Sequence, residues 1–287
     1  MVDRSAWRVT VRRFGALALG LMVAQCSGAQ QAEPAASGQT APPSDCPATR
    51  TVKVGQCRGN TQPGYGISPA RPLQWGLTAA GGLYFGRLLC PSGALAQSRR
   101  INRTGNVWEV RCPDDPATHT WYLSAQCGDP CPPEGFQVIP DEALQHYLQS
   151  VRAQENGDLA GAEAQARTAA RLAPPNELLT SWLATVLVRM GQLSDAIKLY
   201  EFAIRMNPED PEPKLYLAMA QRVAGHAEVY EAALVDLLAK LPPSHVLVPE
   251  LQCLQAEVLQ TQGRAVQAKA LADAACKGGF DGCCKGR

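Results

Sequence analysis

Cysteine is the side chain whose count first suggests chemistry, at 11 in 287 residues. Cys127 and Cys131 stand close enough to share a metal or a redox step (Cys-Gly-Asp-Pro-Cys). A zinc site of that kind needs a second close pair, and none follows. Thioredoxin-type redox motifs use two intervening residues rather than three, in an α/β context. The vicinal Cys283 and Cys284 read as structural, because a reactive pair needs a thiolate held by its surroundings. The four histidines (His119, His146, His226, His245) are scattered. No His-Glu-x-x-His, Gly-x-Ser-x-Gly or phosphate-loop pattern accompanies them. Asp114-Asp115 lies between two prolines and reads as a solvated turn, because sequence neighbours rarely converge on one substrate atom. The expectation is a protein that is not an enzyme, with no cofactor and no metal site.

The N-terminus indicates where the cysteines reside. Arg4, Arg8, Arg12 and Arg13 precede an apolar run, Phe14 to Ala24, before Gln25 and Cys26. That run is shorter than the roughly 20 residues needed to span a bilayer, and a positive flank with a short apolar core is the signal-peptide pattern, here residues 1–25. Val23-Ala24-Gln25-Cys26 resembles a bacterial lipoprotein box, which implies lipid on Cys26 and a periplasm-facing outer-membrane location. Gln25 departs from that box, and cleavage after Ala29, giving a periplasmic or secreted chain, stays open. Either route leaves ten cysteines, an even number that reads as disulfides in an oxidising compartment. Formal charge is +1, against the strongly basic balance of a nucleic-acid binder, so none is expected as a partner. Residues 26–45 are Ala, Gln, Pro, Ser and Gly with almost no large apolar side chain, the composition of a flexible tether.

Residues 46–135 change texture. They hold Cys46, Cys57, Cys90, Cys112, Cys127 and Cys131 among many Gly, Pro and aromatic residues. Short runs at 82–89, 107–111 and 120–124 suggest strands, and Val107–Arg111 alternates with a two-residue period. A small β module with disulfides supplementing a thin core is expected. Cys90 and Cys112 each close an apolar strand and are the favoured pair. Trp75, Tyr84, Trp108, Trp121 and Tyr122 form either its core or a stacking platform for a glycan or other ligand.

From Pro140 onward the pattern is helical and repeats. Pro174, Pro208 and Pro242 are spaced by 34 residues, as are Gly157, Gly191 and Gly225. The best copy, 177–210, carries Leu183, Ala184, Leu187, Gly191, Ala196, Tyr200, Ala203 and Pro208. This grammar resembles the tetratricopeptide repeat, a helix–turn–helix unit. Copies fall at about 143–176, 177–210, 211–246 and 249–282. In the first, Gln149 and Ser150 replace the Leu-Gly pair, which predicts a polar terminal surface. In the third, Tyr230 stands where Ala belongs, which predicts a shifted second helix. An insertion around Pro243–Val248 separates the fourth. Cys253 and Cys276 fall on the two helices of that last hairpin, so Cys253 is expected to bond one of Cys276, Cys283 and Cys284 and tie down the C-terminus. No disulfide is expected to join the first six cysteines to the last four.

The fold class is therefore multidomain α plus β: a C-terminal α-solenoid of tetratricopeptide hairpins, residues 140–287, after a small disulfide-rich β module. The resemblance implies a concave face on the first helix of each repeat that holds a protein or peptide partner. By family position that face comprises Tyr147, Val151 and Gln154, then Leu178, Ser181, Thr185, Val188 and Arg189, then Leu215, Met219 and Arg222. The expected function is an exported adaptor, joined to the membrane by an N-terminal lipid anchor. The alternative is an envelope glycan- or ligand-binding protein that uses the aromatic β module, with the repeats as spacer.

Overall fold

Glycines at the repeat interval dictate the helical half. The computed structural model describes residues 73–74, 86–101, 107–113, 115–124, 131–133 and 135–284. Residues 1–25, read above as a signal peptide, Cys26, residues 26–45, read as a tether, Cys46, Cys57, Cys127, Trp75 and Tyr84 lie outside the described residues. Eight α-helices follow in sequence: α1 Asp141–Glu155, α2 Leu159–Leu172, α3 Glu177–Arg189, α4 Leu193–Met206, α5 Pro211–Val223, α6 Ala227–Lys240, α7 Val248–Thr261 and α8 Ala265–Lys277. They pair as four hairpins. Gly157, Gly191, Gly225 and Gly263 all adopt positive φ at the turns. In the second hairpin Gly191 N–H donates to Val188 O and Gln192 N–H to Leu187 O, the Schellman pattern that satisfies the last carbonyls of a helix. Asp158, Asn176 and Asp210 cap α2, α3 and α5 by accepting backbone N–H bonds through their side chains.

Small residues let the helices of each pair approach. Ala162, Ala184, Ala196, Ala203, Ala218 and Ala268 are buried, and Tyr200 fills the space beside them. Two expectations change here. Ser150 is fully buried rather than part of a polar outer surface: its hydroxyl donates to Ala162 O at 2.6 Å and accepts from Trp182 Nε1 at 2.8 Å. A hydroxyl is tolerated at this crossing because both of its partners are there. The third hairpin is not displaced along the chain either. α6 begins two residues after Gly225, as α4 does after Gly191. Tyr230 is itself buried, and Arg222 stacks on its ring at 4.7 Å.

The module is built from β1 Leu73–Gln74, β2 Leu88–Leu89, β3 Gln97–Arg100, β4 Val107–Arg111, β5 Thr118–Ser124 and β6 Gln137–Val138. One sheet has the order β1-β5-β4-β3, with β1 parallel to β5, and the other pairs β2 with β6. Trp108 lies opposite Trp121 and Val110 opposite His119, so these four share a face. Phe136 closes that face with its ring edge-on to Trp121 at 5.0 Å. Cys90 and Cys112 are bonded and buried with Ala94. Cys131 is disulfide-bonded as well.

Module and array share one core. Leu89 and Ile139 belong to the same buried apolar cluster as Tyr147, Trp182 and Leu215. Arg87 pairs with Asp141 at 2.9 Å, and Ile139 N–H donates to Arg87 O. At the seam Gly93, with φ +90°, lies against the start of α3, where a β-carbon would sit 2.6 Å from Pro175 O. At the other end Cys253 bonds Cys283 and Cys276 bonds Cys284, folding the last described residues back onto α7 and α8. The three described pairs thus stay within their own regions.

Candidate binding surfaces

The helix face expected to hold a peptide is mostly committed to the core. Tyr147, Val151, Val188, Leu215 and Met219 belong to the central apolar cluster. Tyr147 sets its ring edge against Trp182 at 5.5 Å. Thr185 Oγ1 shares a hydrogen bond with Tyr200 OH at 2.8 Å and donates to Ser181 O. Ser181, Leu178 and Gln154 are buried as well. These positions therefore cannot serve as an open lining, which corrects the sequence expectation for Tyr147, Val151, Gln154, Leu178, Ser181, Thr185, Val188, Leu215 and Met219. Family position alone assigned them to solvent, and position cannot register how closely neighbouring helices draw together.

The two arginines have separate fates. Arg189, at the end of α3, is exposed. Arg222 is half-buried, with its guanidinium over the Tyr230 ring. Burial pushes the Tyr230 hydroxyl up to about 12, opposed by that cation. A stacked arginine is less available to a ligand carboxylate than an extended one.

An acidic side chain that no motif or spacing singles out lies at the seam. Glu177 opens α3 directly after its cap, where acids are ordinary. Here its Oε1 accepts Leu95 N–H at 2.7 Å, while its own N–H donates to Gly93 O at 3.2 Å. Burial raises its pKa to about 7, with Asp210 and Glu212 pushing the same way and the Leu95 N–H and Asn207 side chain opposing. Asp210 is also raised by burial, against its bond from Glu212 N–H and the charges of His245 and Lys214. The group is a structural joint whose charge state depends on pH.

Among the described residues the module offers no row of exposed rings. Trp121 is at 0% exposure, while Trp108 and Tyr122 are half-buried. Asp115 is occupied at a turn: Oδ1 accepts Ala117 N–H and Oδ2 lies 3.1 Å from His119 Nε2, which together lower its pKa. His146 bonds Gln165 between α1 and α2. Among the described residues no group of three or more His, Cys, Asp or Glu side chains is placed to hold a metal ion. Also among these, no helix is long and apolar enough to cross a membrane.

No family model matches the chain, and no curated protein matches it. Solved structures do resemble its helical part. A fragment of MamA (residues 41 to the end) from Desulfovibrio magneticus RS-1 is 12% identical, with a TM-score of 0.39 over 49% of this chain and 77% of that one. Human IFIT1, solved as a dimer with PPP-AAAA, is 19% identical at a TM-score of 0.42 over 47% of this chain, which spans only 33% of that protein. YrrB, described as a TPR protein with an unusual peptide-binding site, is 18% identical at a TM-score of 0.37, covering 47% of this chain and 68% of that one.

Proposed function

We propose that this chain is an exported, non-enzymatic adaptor whose tetratricopeptide-type array binds a protein partner, anchored through lipid on Cys26 to the periplasmic face of a bacterial outer membrane. The observation that carries the reading is an array held at both ends. The β module is joined to α1 and α3 by a shared core, and two disulfides close the last hairpin. A surface held in this way is preorganised, so less ordering entropy opposes docking. The bonded cysteines fit an oxidising compartment. The buried Trp121 weighs against the glycan-platform alternative.

Two measurements test the proposal. Mass analysis of the mature protein should find a lipidated Cys26 at the N-terminus, and a chain starting at Gln30 would remove the anchor. Affinity capture of the full-length protein from membranes, against an unrelated exported protein as control, should return one partner at stoichiometric yield. Loss of any stoichiometric partner after gentle solubilisation and cross-linking would remove the adaptor role.

A further inference from the structure

Cys283 and Cys284 are adjacent in the chain, yet they bond to different helices. Cys283 joins Cys253 on α7, and Cys284 joins Cys276, the penultimate residue of α8. Neighbouring residues of one tail are thus tied to both helices of one hairpin. Once one bond holds the tail, the other closes little additional chain, so it adds little stability of its own.

Two observations separate the pair. Cys253 is 4% exposed, and its bond closes a separation of 30 residues that takes in the whole turn between α7 and α8. Cys276 and Cys284 are both half-buried and only 8 residues apart, so their bond ties the tail back to the helix it has just left. Attack on a disulfide requires access to a sulfur, and a bond with both ends half-buried offers it without unfolding of the hairpin. The Cys253–Cys283 bond has one end in the core and must wait for local opening.

We propose that Cys276–Cys284 is a redox modification site, a reversible bond that a dithiol oxidoreductase opens while Cys253–Cys283 and the fold stay intact. One thiolate of the reductase bonds to the Cys276 sulfur, the Cys276–Cys284 bond breaks, and Cys284 leaves as a thiolate that takes up a proton. The second reductase thiol then attacks the reductase sulfur of the mixed disulfide. Cys276 is released as a thiol and the reductase is left as a disulfide, so two electrons and two protons pass to the pair. Cys284 is the better leaving group, because a thiolate at Cys276 would lie at the negative end of α8. Opening the bond frees Cys284 from α8, whose main neighbours among the described residues are α7 and this tail. The redox poise of the compartment therefore sets how firmly the array is closed at this end, whether or not the array binds a partner.

The test treats the full-length oxidised protein with limiting dithiothreitol, quenches with acid at intervals, alkylates and maps the peptides by mass. Cys276 and Cys284 should be alkylated together, on the order of tenfold faster than Cys253 and Cys283, while far-ultraviolet circular dichroism stays native. A thioredoxin-fold reductase with its second active-site cysteine replaced by serine should be trapped as a mixed disulfide on Cys276. It should not be trapped on the Cys276→Ser with Cys284→Ser variant. That variant should melt close to the native protein, and Cys253→Ser with Cys283→Ser clearly below it. The proposal is overturned if Cys253 and Cys283 are reduced as fast, or if Cys276 and Cys284 react only once helix content is lost. Failure of the reductase trap, or equal melts for the two double variants, would leave the bond a purely structural staple and overturn it as well.

Discussion

In the repeat array, Ala162, Ala184, Ala196 and Ala203 recur at crossings between helices, with Trp182 and Tyr200 filling the space around them. In the β module, burial is concentrated in a few groups: Trp121 under Phe136, and the Cys90–Cys112 bond beside Ala94. The array distributes its stability over repeated small contacts, each helix supported by its neighbours. The described part of the module relies on Phe136 against Trp121 and His119 and on disulfides, of which Cys90–Cys112 constrains the unfolded chain by about 3 kcal/mol for a 22-residue separation. Cooperativity should therefore run along the array and end near the seam, where Leu89 and Ile139 are the shared contacts.

Removing one large ring from each region tests this most severely. Trp182→Ala deletes a fully buried side chain and the donor to Ser150, and should destabilise the helical array by about 3–5 kcal/mol. Trp121→Ala should loosen the module while moving the helical melt by less than about 1 kcal/mol, since the disulfide and the seam persist. Far-ultraviolet circular dichroism follows the helices, and Trp fluorescence follows the remaining rings. An equal fall of the helical melt in both variants would make module and array one cooperative unit.

How much was legible before the structure follows the same division. The hairpins were, because a 34-residue interval between Gly157, Gly191 and Gly225 is a local backbone requirement that survives any packing detail. The Cys90–Cys112 and Cys253–Cys283 bonds also agree with the ends of strands and helices read from sequence. The expected lining was not legible: family position placed Thr185 and Met219 toward solvent, and only tertiary contact with Tyr200 and the central cluster shows them buried. Ser150 misled because a polar residue in a first repeat suggests an outer surface, while its partners, Ala162 O and Trp182 Nε1, come from other helices. β3 and β6 were missed since Gln97–Arg100 is polar and Gln137–Val138 is too short for any period to show. Glu177 had no signal at all, because its burial depends on a loop 82 residues away.

The Glu177 carboxyl has a folded pKa of about 7, above the unfolded value of about 4.3, so the native chain binds more protons between those values. The corresponding stability is fully present below about pH 4.3 and is lost as pH rises toward 7. The loss should reach roughly 3–4 kcal/mol, at the shift equivalence of about 1.4 kcal/mol per unit. Glu177→Gln keeps a carbonyl oxygen to accept Leu95 N–H but cannot ionise, so the difference in stability between native and variant should close as pH falls. Urea titrations across this range measure it. If the difference stays constant with pH, Glu177 does not couple module to array through its charge.

The smallest effect concerns whether the repeats of the array are energetically alike. Gly191 has φ +79°, and a β-carbon built there meets nothing within 4 Å. Gly191→Ala therefore isolates the cost of holding an L-residue in the left-handed region, with no clash to confuse it. That cost should be about 1 kcal/mol, because the Schellman bonds to Leu187 and Val188 fix the turn and leave little room to relax. Gly263, at φ +75° and equally open, occupies the same place in the hairpin that two disulfides close. Gly263→Ala should cost a similar amount in the oxidised protein. After reduction the last hairpin is held only by its neighbour, so the strain should be relieved by local fraying and the effect on the global melt should shrink. Hydrogen exchange of the α7 and α8 amides separates the two cases: protection falls across α7 and α8 in reduced Gly263→Ala and is retained there in Gly191→Ala. Equal protection loss in both would mean that the array unfolds as a whole, and its end would owe nothing to the disulfide clasp.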